Sequence, residues 1–377
     1  MSRPSSFTFY EFFCGGGMAR TGLGRRWRCL FANDMDHAKG RAYAANFEAA
    51  DLRVADVWDL TTADLPGRAD LAWASSPCQD LSLAGARRGL SGSRSSAFWG
   101  FWSLIEALDR EGRAPRMIGI ENVTGLLTSH DGGDFNALCG ALAGRGYAFG
   151  ALEIDAARFL PQSRPRLFIL ATREPTSGLD GAPGPFHSAA VRKAFERLPA
   201  EARGAWRWWS LPEPALRNST LADVLEPDGE VAWLDAAATA RLVAQMSEGH
   251  RRRLDELRAA GGRRVGTAFR RMRIEHGLRV QRAETRFDGA AGCLRTPAGG
   301  SSRQFVLVVQ DGEVRARLMT AREAARLMGL PDDYRLPASA TAGLQLAGDG
   351  VAAAVVRHLA AHVLEPMLTG RPDAAAA

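Results

Sequence analysis

Cys78 stands directly after a proline in "ASSPCQDLSLAGARRGLSGSRSS", the stretch from Ala74 to Ser96. A structural cysteine is ordinarily packed among apolar residues that keep its thiol neutral and inert. This one ends an apolar run and enters a loop of glycines, serines and arginines, which is the setting of a reactive thiol. Downstream, "MIGIEN" ends in Glu121 and Asn122, and "QSRPR" carries Gln162, Arg164 and Arg166. A thiol nucleophile, a carboxyl group and two guanidinium groups on one rim are the parts of a covalent-catalysis site. Each has an inert reading as well: a loop thiol, a helix-capping partner, a solvated pair of cations. Their joint order along the chain favours the chemical reading.

The elements that must position these residues are legible from Phe7 to Thr172, where apolar strand-like runs alternate with helical stretches as in an α/β domain with a largely parallel sheet. "FTFYEFF" reads as the first strand, "CLFAND" as the second, "DLAWAS" as a later one and "MIGIEN" as the next. Between Arg94 and Arg110, Phe98, Trp102, Ile105 and Leu108 recur near helical spacing, which predicts an amphipathic helix. "YAFGALEIDAARF" and "RPRLFILAT" read as two strands joined by a functional loop. Open α/β sheets bind ligands at the ends of their strands, where Cys78 and Glu121 fall. The first strand runs into "CGGG", a glycine turn of the kind that brings backbone close to a nucleoside cofactor, and "NDMD" follows about twenty residues later with an acid suited to ribose hydroxyls.

The rest of the chain, after Thr172, is less regular. "EPTSGLDGAPGPFH" leaves the first domain, and the stretch from Arg173 to Asp288 shows no α/β rhythm. It contains Trp206, Trp208, Trp209 and Trp233, read as core rather than as a stacking platform. Between Gly249 and Arg286 there are 12 arginines and four acids, read either as a solvated basic helix or as a surface that meets phosphates. "RQFVLVVQDGEV" predicts a hairpin, "TAREAARLMGLP" a helix opened by a Thr320–Glu323 capping box, and "GVAAAVVRHLAAHVLEPML" a final helix. Over all 377 residues the formal charge is +6, consistent with a polyanionic partner. Five scattered cysteines without a CxxC pair, and no histidine cluster at ligand spacing, argue against a disulfide framework or a metal site. With no apolar leader and no run of eighteen apolar residues, the expected location is the cytoplasm, in association with the nucleoid, and no membrane partner is expected.

In order, "FFCGGG", "NDMD", "VADVWDL", "SSPCQDLSLAG", "ENVTGLLTSHD", "QSRPRLFIL", "GCLRTPAGGSSRQFVLV", "RLMTAREAARLMGLPDDY" and "GDGVAAAVV" resemble the motifs of the DNA cytosine-5 methyltransferases. The resemblance implies a Rossmann-like methyltransferase sheet with helices on both faces, plus a smaller, mostly irregular or β target-recognition domain. It implies S-adenosyl-L-methionine as cofactor and double-stranded DNA as substrate, with the target base flipped out of the duplex. Cys78 matches the thiolate that adds to carbon 6 of cytosine, Glu121 the acid at ring nitrogen 3, Arg164 and Arg166 the residues that hold the base, and Asn122 a residue that fixes the site. For the cofactor, Phe13, Gly15 and Gly17 match the strand-to-turn contacts, Asp34 the ribose acid and Met35 the residue packed on adenine. Asp56 and Val57 match the segment beside the adenine amino group, Pro77 the methyl end, and Asp349 and Val351 the segment that closes the pocket. Candidate DNA contacts are Gln79, Ser82, Arg87, Arg88 and Arg94 in the cysteine loop. In the variable region they are Arg263, Arg264, Arg270, Arg271 and Arg273, followed by Arg295 and Arg303.

The implied organisation is a cofactor and catalytic domain over 1–175, a target-recognition domain over 176–337, and a C-terminal helix over 338–377 that returns to the first domain. A monomer is expected, acting either in a restriction-modification pair, with a cognate endonuclease that forms no stable complex with it, or as a solitary methylase. The sequence departs from the family pattern at Met18, often a glycine, and at Asp349, usually an asparagine. A tRNA cytosine-5 methyltransferase and a catalytically silent DNA-binding module are the rival readings. The triplet Ser129, His130 and Asp131 is not read as a hydrolase triad, since adjacent residues do not ordinarily converge in that way.

Overall fold

The computed structural model describes residues 7–76, 97–296 and 303–370, so Pro77, Cys78, Gln79, Ser82, Arg87, Arg88 and Arg94 lie outside the described residues. Contacts divide the chain into two units, one of residues 1–155, 165–214 and 351–377, the other of 156–164 and 215–350.

The first unit is built on a seven-stranded sheet formed by β1 (Phe7–Phe12), β2 (Trp27–Asp34), β3 (Leu52–Val54), β4 (Leu71–Ala74), β5 (Met117–Asn122), β6 (Ala148–Asp155) and β7 (Pro165–Thr172). Their order is β3-β2-β1-β4-β5-β7-β6, parallel from β3 to β5, with β7 antiparallel to both neighbours. Every residue of β4 and of β5 is buried, as expected of strands covered on both faces. Trp73 lies so close over β5 that a Cβ on Gly119 would come within 2.6 Å of its ring, which accounts for the glycine in "MIGIEN". The predicted amphipathic helix is described over Ala97–Arg110 and buries Phe98, Phe101, Trp102, Leu104, Ile105 and Leu108.

Trp206, Trp208 and Trp209 belong to this unit, which extends to Pro214 and past the expected edge at residue 175, whereas Trp233 falls in the second unit. Trp206 packs edge-on against Phe135 and Phe149, and the indole of Trp209 donates to the Leu170 carbonyl at 3.0 Å. The chain returns at Val351. A Cβ on Gly22 would meet the Ala353 carbonyl at 2.5 Å and the Val356 side chain at 2.6 Å, so the last helices press directly on helix Met18–Leu23. Glu365 fixes the end by accepting from the Trp27 indole at 3.1 Å and from Arg26 at 2.5 Å. The apolar run from Ala340 to Thr369 meets the length and composition of a membrane span, and most of it is buried within the protein.

The second unit carries a four-stranded antiparallel sheet of β8 (Arg264–Glu275), β9 (Leu278–Arg286), β10 (Gln304–Gln310) and β11 (Glu313–Leu318), in the order β11-β10-β8-β9. Phe305, Leu307, Val309, Ala268 and Ala283 meet Leu242, Leu254 and Leu257 of two helices, and Met246 between those helices, to form its core. The predicted hairpin is β10–β11, turned by Asp311 and Gly312 with φ of 50° and 82°. The Thr320–Glu323 capping box is present, and Glu323 also takes both arms of Arg317 with neither side chain exposed. The basic window resolves into two elements, the helix Glu248–Ala259 and the hairpin β8–β9. Arg252 and Arg253 on the helix pair with Glu248 and Glu256, so this helix neutralises much of its own charge.

Candidate active site

β1 ends at Phe12, and the backbone then enters the left-handed region at Phe13 (φ 55°), Gly15 (φ 53°) and Gly17 (φ 75°). Phe13 pays for that conformation with a strain a glycine would avoid, a feature that clusters at functional turns. At Gly17 a Cβ would sit 2.4 Å from the Phe47 ring, so the turn needs glycine there for space as well as for angle. Met18 follows as the first residue of a helix with its side chain buried, so glycine's freedom is not required at that position.

Asp34, at the end of β2, organises this turn. Its Oδ2 accepts from the Gly15 amide and its Oδ1 from the Asp36 amide, each at 2.9 Å. Asn33 beside it donates to the carbonyls of Arg53 at 3.0 Å and Ala55 at 2.9 Å, tying β2 to the segment that leads into Asp56. Asp56 accepts from the Trp58 amide at 3.0 Å, and Val57 is buried. Met35 is 68% exposed on the same rim, an apolar side chain with no protein surface covering most of it. Beneath the turn lies Glu11, an acid inside an aromatic strand whose signal in "FTFYEFF" the sequence reading passed over. One oxygen accepts from the Arg20 amide at 3.3 Å, while the other is buried without a hydrogen-bond partner. Burial pushes its pKa from the ordinary 4.5 up to about 8, against the opposing pull of the Arg20 amide and charge.

Two strand ends away, Glu121 and Asn122 close β5. Glu121 is buried and its Oε1 lies 3.2 Å from Arg166 Nε, Arg166 being the second residue of β7. Asn122 donates from Nδ2 to the Ser76 carbonyl and hydroxyl, each at 3.2 Å, and accepts from the Val123 amide at 2.8 Å. Ser76 is the last described residue before Cys78, so Asn122 fixes the approach to the cysteine.

The two arginines of "QSRPR" do different work. Arg164 is buried in the second unit and donates to the carbonyls of Leu294 at 2.9 Å, Gly348 at 2.9 Å and Gly350 at 2.7 Å. Gln162 shares this role, bonding the Leu327 carbonyl at 2.7 Å and the Leu294 amide at 3.1 Å. Asp349 is exposed and accepts from the Thr296 hydroxyl, whereas Val351 is buried in the first unit. Ser129, His130 and Asp131 form no triad: Asp134 takes both the Ser129 hydroxyl, at 2.5 Å, and His130 Nδ1, at 2.8 Å.

Of the arginines expected to face DNA, Arg263 is held by both oxygens of Asp228, at 2.9 Å each. Arg270 bonds Gln245 at 3.1 Å, and Arg271 and Arg273 both reach Glu284. Arg303 bonds Thr341, and Arg264 and Arg295 are exposed.

A parallel sheet extended by one antiparallel strand, with a glycine turn after its first strand and an acid after its second, defines a methyltransferase fold of the Rossmann-like type. A profile of the C-5 cytosine-specific DNA methylase family matches residues 7–365, and the chain belongs to that family, which makes it a DNA (cytosine-5-)-methyltransferase. It is 27% identical over 385 residues to the type II methyltransferase M.HpaII of Haemophilus parainfluenzae, covering 96% of this chain and 90% of that one. It is 24% identical over 373 residues to M.BsuFI of Bacillus subtilis, covering 97% and 75% respectively. Among solved structures, the methyltransferase EhMeth of Entamoeba histolytica superposes with a TM-score of 0.63 at 13% identity, with 97% and 98% of the two chains covered. The Dnmt2 methyltransferase of S. pombe superposes with a TM-score of 0.58 at 18% identity, covering 96% and 99%.

Proposed function

We propose that the chain is a sequence-specific DNA methyltransferase that flips its target cytosine from the duplex, adds the Cys78 thiolate to carbon 6 and modifies carbon 5. The observation that carries this reading furthest is the Glu121–Arg166 pair at the end of β5, with Asn122 holding the chain that leads to Cys78. Addition of a thiolate to carbon 6 places negative charge on the ring. Glu121, holding or sharing a proton at ring nitrogen 3, stabilises that charge, and Arg166 orients the carboxyl group and keeps its charge compensated. The carbon 6 bond to Cys78 is released once the carbon 5 proton has left.

The cofactor is S-adenosyl-L-methionine, which supplies an electrophilic methyl group when bound. The rim fits it: a left-handed turn at Phe13–Gly17 lets backbone approach a nucleoside, Asp34 and Asp56 offer carboxylates, and Met35 offers an exposed apolar surface for a flat ring. Pro77 and Val351 complete the pocket in this reading, and Asp349 faces the cationic end of the cofactor. Unchanged cofactor affinity in Asp349→Asn across pH would remove that contact.

Phosphate and base contacts are assigned to Gln79, Ser82, Arg87, Arg88 and Arg94, and to Arg264, Arg270, Arg271, Arg273, Arg295 and Arg303. Arg263 is assigned with them and also holds Asp228. The same reading assigns a cytoplasmic monomer that either protects DNA against a separate restriction endonuclease or acts as a solitary methylase, and the type II names of the relatives support the first of these. The test is transfer of labelled methyl to unmethylated genomic DNA and to total tRNA, with Cys78→Ser alongside. Label on carbon 5 of DNA cytosine that vanishes in the variant is expected; label confined to tRNA overturns the substrate assignment.

A further inference from the structure

β10 pairs with β8 only from Arg264 to Phe269, while β9 continues alongside β8 to the turn at His276 and Gly277. From Arg271 to Arg282 no third strand pairs with this hairpin among the described residues, and it is described there as a two-stranded ribbon. A free two-stranded ribbon is marginal by itself in water. This one ends in exposed Met272, Ile274 (78% exposed) and Leu278.

Its two faces differ. Arg271, Arg273, Glu275, Arg282 and Glu284 alternate onto one face and are joined by the ion pairs Arg273–Glu284, Arg271–Glu284 and Arg282–Glu275. The opposite face carries Met272 opposite Gln281 and Ile274 opposite Arg279. Arg279 is exposed and makes no ion pair or side-chain hydrogen bond among the described residues. One face thus neutralises its own charge. The other presents a guanidinium without a partner among the described residues, two apolar side chains, and the Gln281 amide, whose oxygen accepts from Gln245 at 3.2 Å.

We propose that this ribbon enters the major groove of duplex DNA with the Met272–Ile274–Arg279–Gln281 face on the base edges, so that Arg279 and Ile274 help to set the recognition sequence. The inference rests on the DNA reading above. A major groove about 12 Å wide admits a two-stranded ribbon, and the six residues of one arm span about 20 Å. Arginine is matched to the acceptors of guanine, and an apolar side chain to the thymine methyl. Between Arg264 and Arg286 seven arginines stand against two acids, a balance suited to phosphates on both sides of the groove.

The experiment is selection of bound duplexes from a random pool by the full-length chain, comparing wild type with Arg279→Ala, Arg279→Gln and Ile274→Ser. Arg279→Ala is expected to lose a guanine at one position of the selected motif and to bind the wild-type motif about 10- to 100-fold more weakly. Arg279→Gln is expected to shift that position toward adenine, an outcome that mere unfolding cannot produce. The proposal is overturned if all variants select the wild-type motif with wild-type affinity, or if the wild type selects no duplex. It is overturned equally if Ile274→Ser converts a dimer to a monomer with the motif unchanged, which would make the ribbon a self-interface. A motif selected by a chain that methylates nothing would fault the catalytic reading and leave this one standing.

Discussion

The end of β5 and the ribbon of β8–β9 use the same residue types in opposite ways. At β5, Glu121 and Asn122 are buried at the strand end, and the partner of each on β7 is fixed by sheet register: Phe168 beside Glu121, Leu167 beside Asn122. On the ribbon, Arg271, Arg273 and Arg282 pair with Glu275 and Glu284 near water, with no third strand beside them among the described residues. Burial fixes the geometry of a carboxylate–guanidinium pair, whereas water screens a pair at the surface and leaves it adjustable. Chemistry on a bond needs the first and a search along DNA the second.

Breaking the buried side should have the largest effect. Glu121→Gln keeps the shape of the side chain and removes its proton chemistry, so single-turnover methyl transfer is expected to fall about 10²–10⁴-fold with duplex binding retained. A fall of less than tenfold would take Glu121 out of the chemical step. In the second unit, the same logic of burial applies to a pair with no catalytic part. Glu323 receives Arg317 and the amides of Thr320 and Glu226, so Glu323→Ala leaves a guanidinium buried without its counter-ion. A loss of about 3–5 kcal/mol in denaturant unfolding is expected.

Glu11 sharpens the comparison by isolating burial without a counter-ion at its free oxygen. Its pKa in the folded chain, about 8, stands above the ordinary 4.5, so it adds stability where it is neutral in both states. That contribution is present below about pH 4.5 and is lost as pH rises through 8, with an upper limit of about 5 kcal/mol. The melting temperature of wild type should therefore decline between pH 6 and pH 9 more steeply than that of Glu11→Gln. Parallel declines would mean that Glu11 ionises freely in the fold.

These differences in burial also explain what was legible in the sequence. The parallel strands read clearly because they are continuous apolar runs, and Glu121 and Asn122 sit at the end of one of them, where such sheets bind ligands. Arg164 and Arg166 looked alike because their spacing is the same as that of any alternating pair. The chain changes unit between them, which no local pattern records. The β8–β9 hairpin escaped notice for two reasons. Its strands are arginine-rich rather than apolar, and its turn is His276–Gly277 instead of an asparagine–glycine or aspartate–glycine pair. The β10–β11 hairpin, with an apolar strand and Asp311–Gly312, carried both signals.

The smallest effect expected is on the ribbon's salt-bridged face, and it should have opposite signs in two assays. Arg273 and Arg271 share Glu284, and all three side chains are at least one-fifth exposed. Glu284→Gln therefore removes pairs worth at most about 1 kcal/mol, and the shift in unfolding midpoint should be slight. The same change releases two guanidinium groups from an internal competitor. Affinity for duplex DNA should rise a few-fold at low salt, and the dependence of affinity on salt should steepen, because more phosphates are met by cations. Weaker DNA binding with an unchanged salt slope would show that Glu284 serves to hold these arginines in place for the groove.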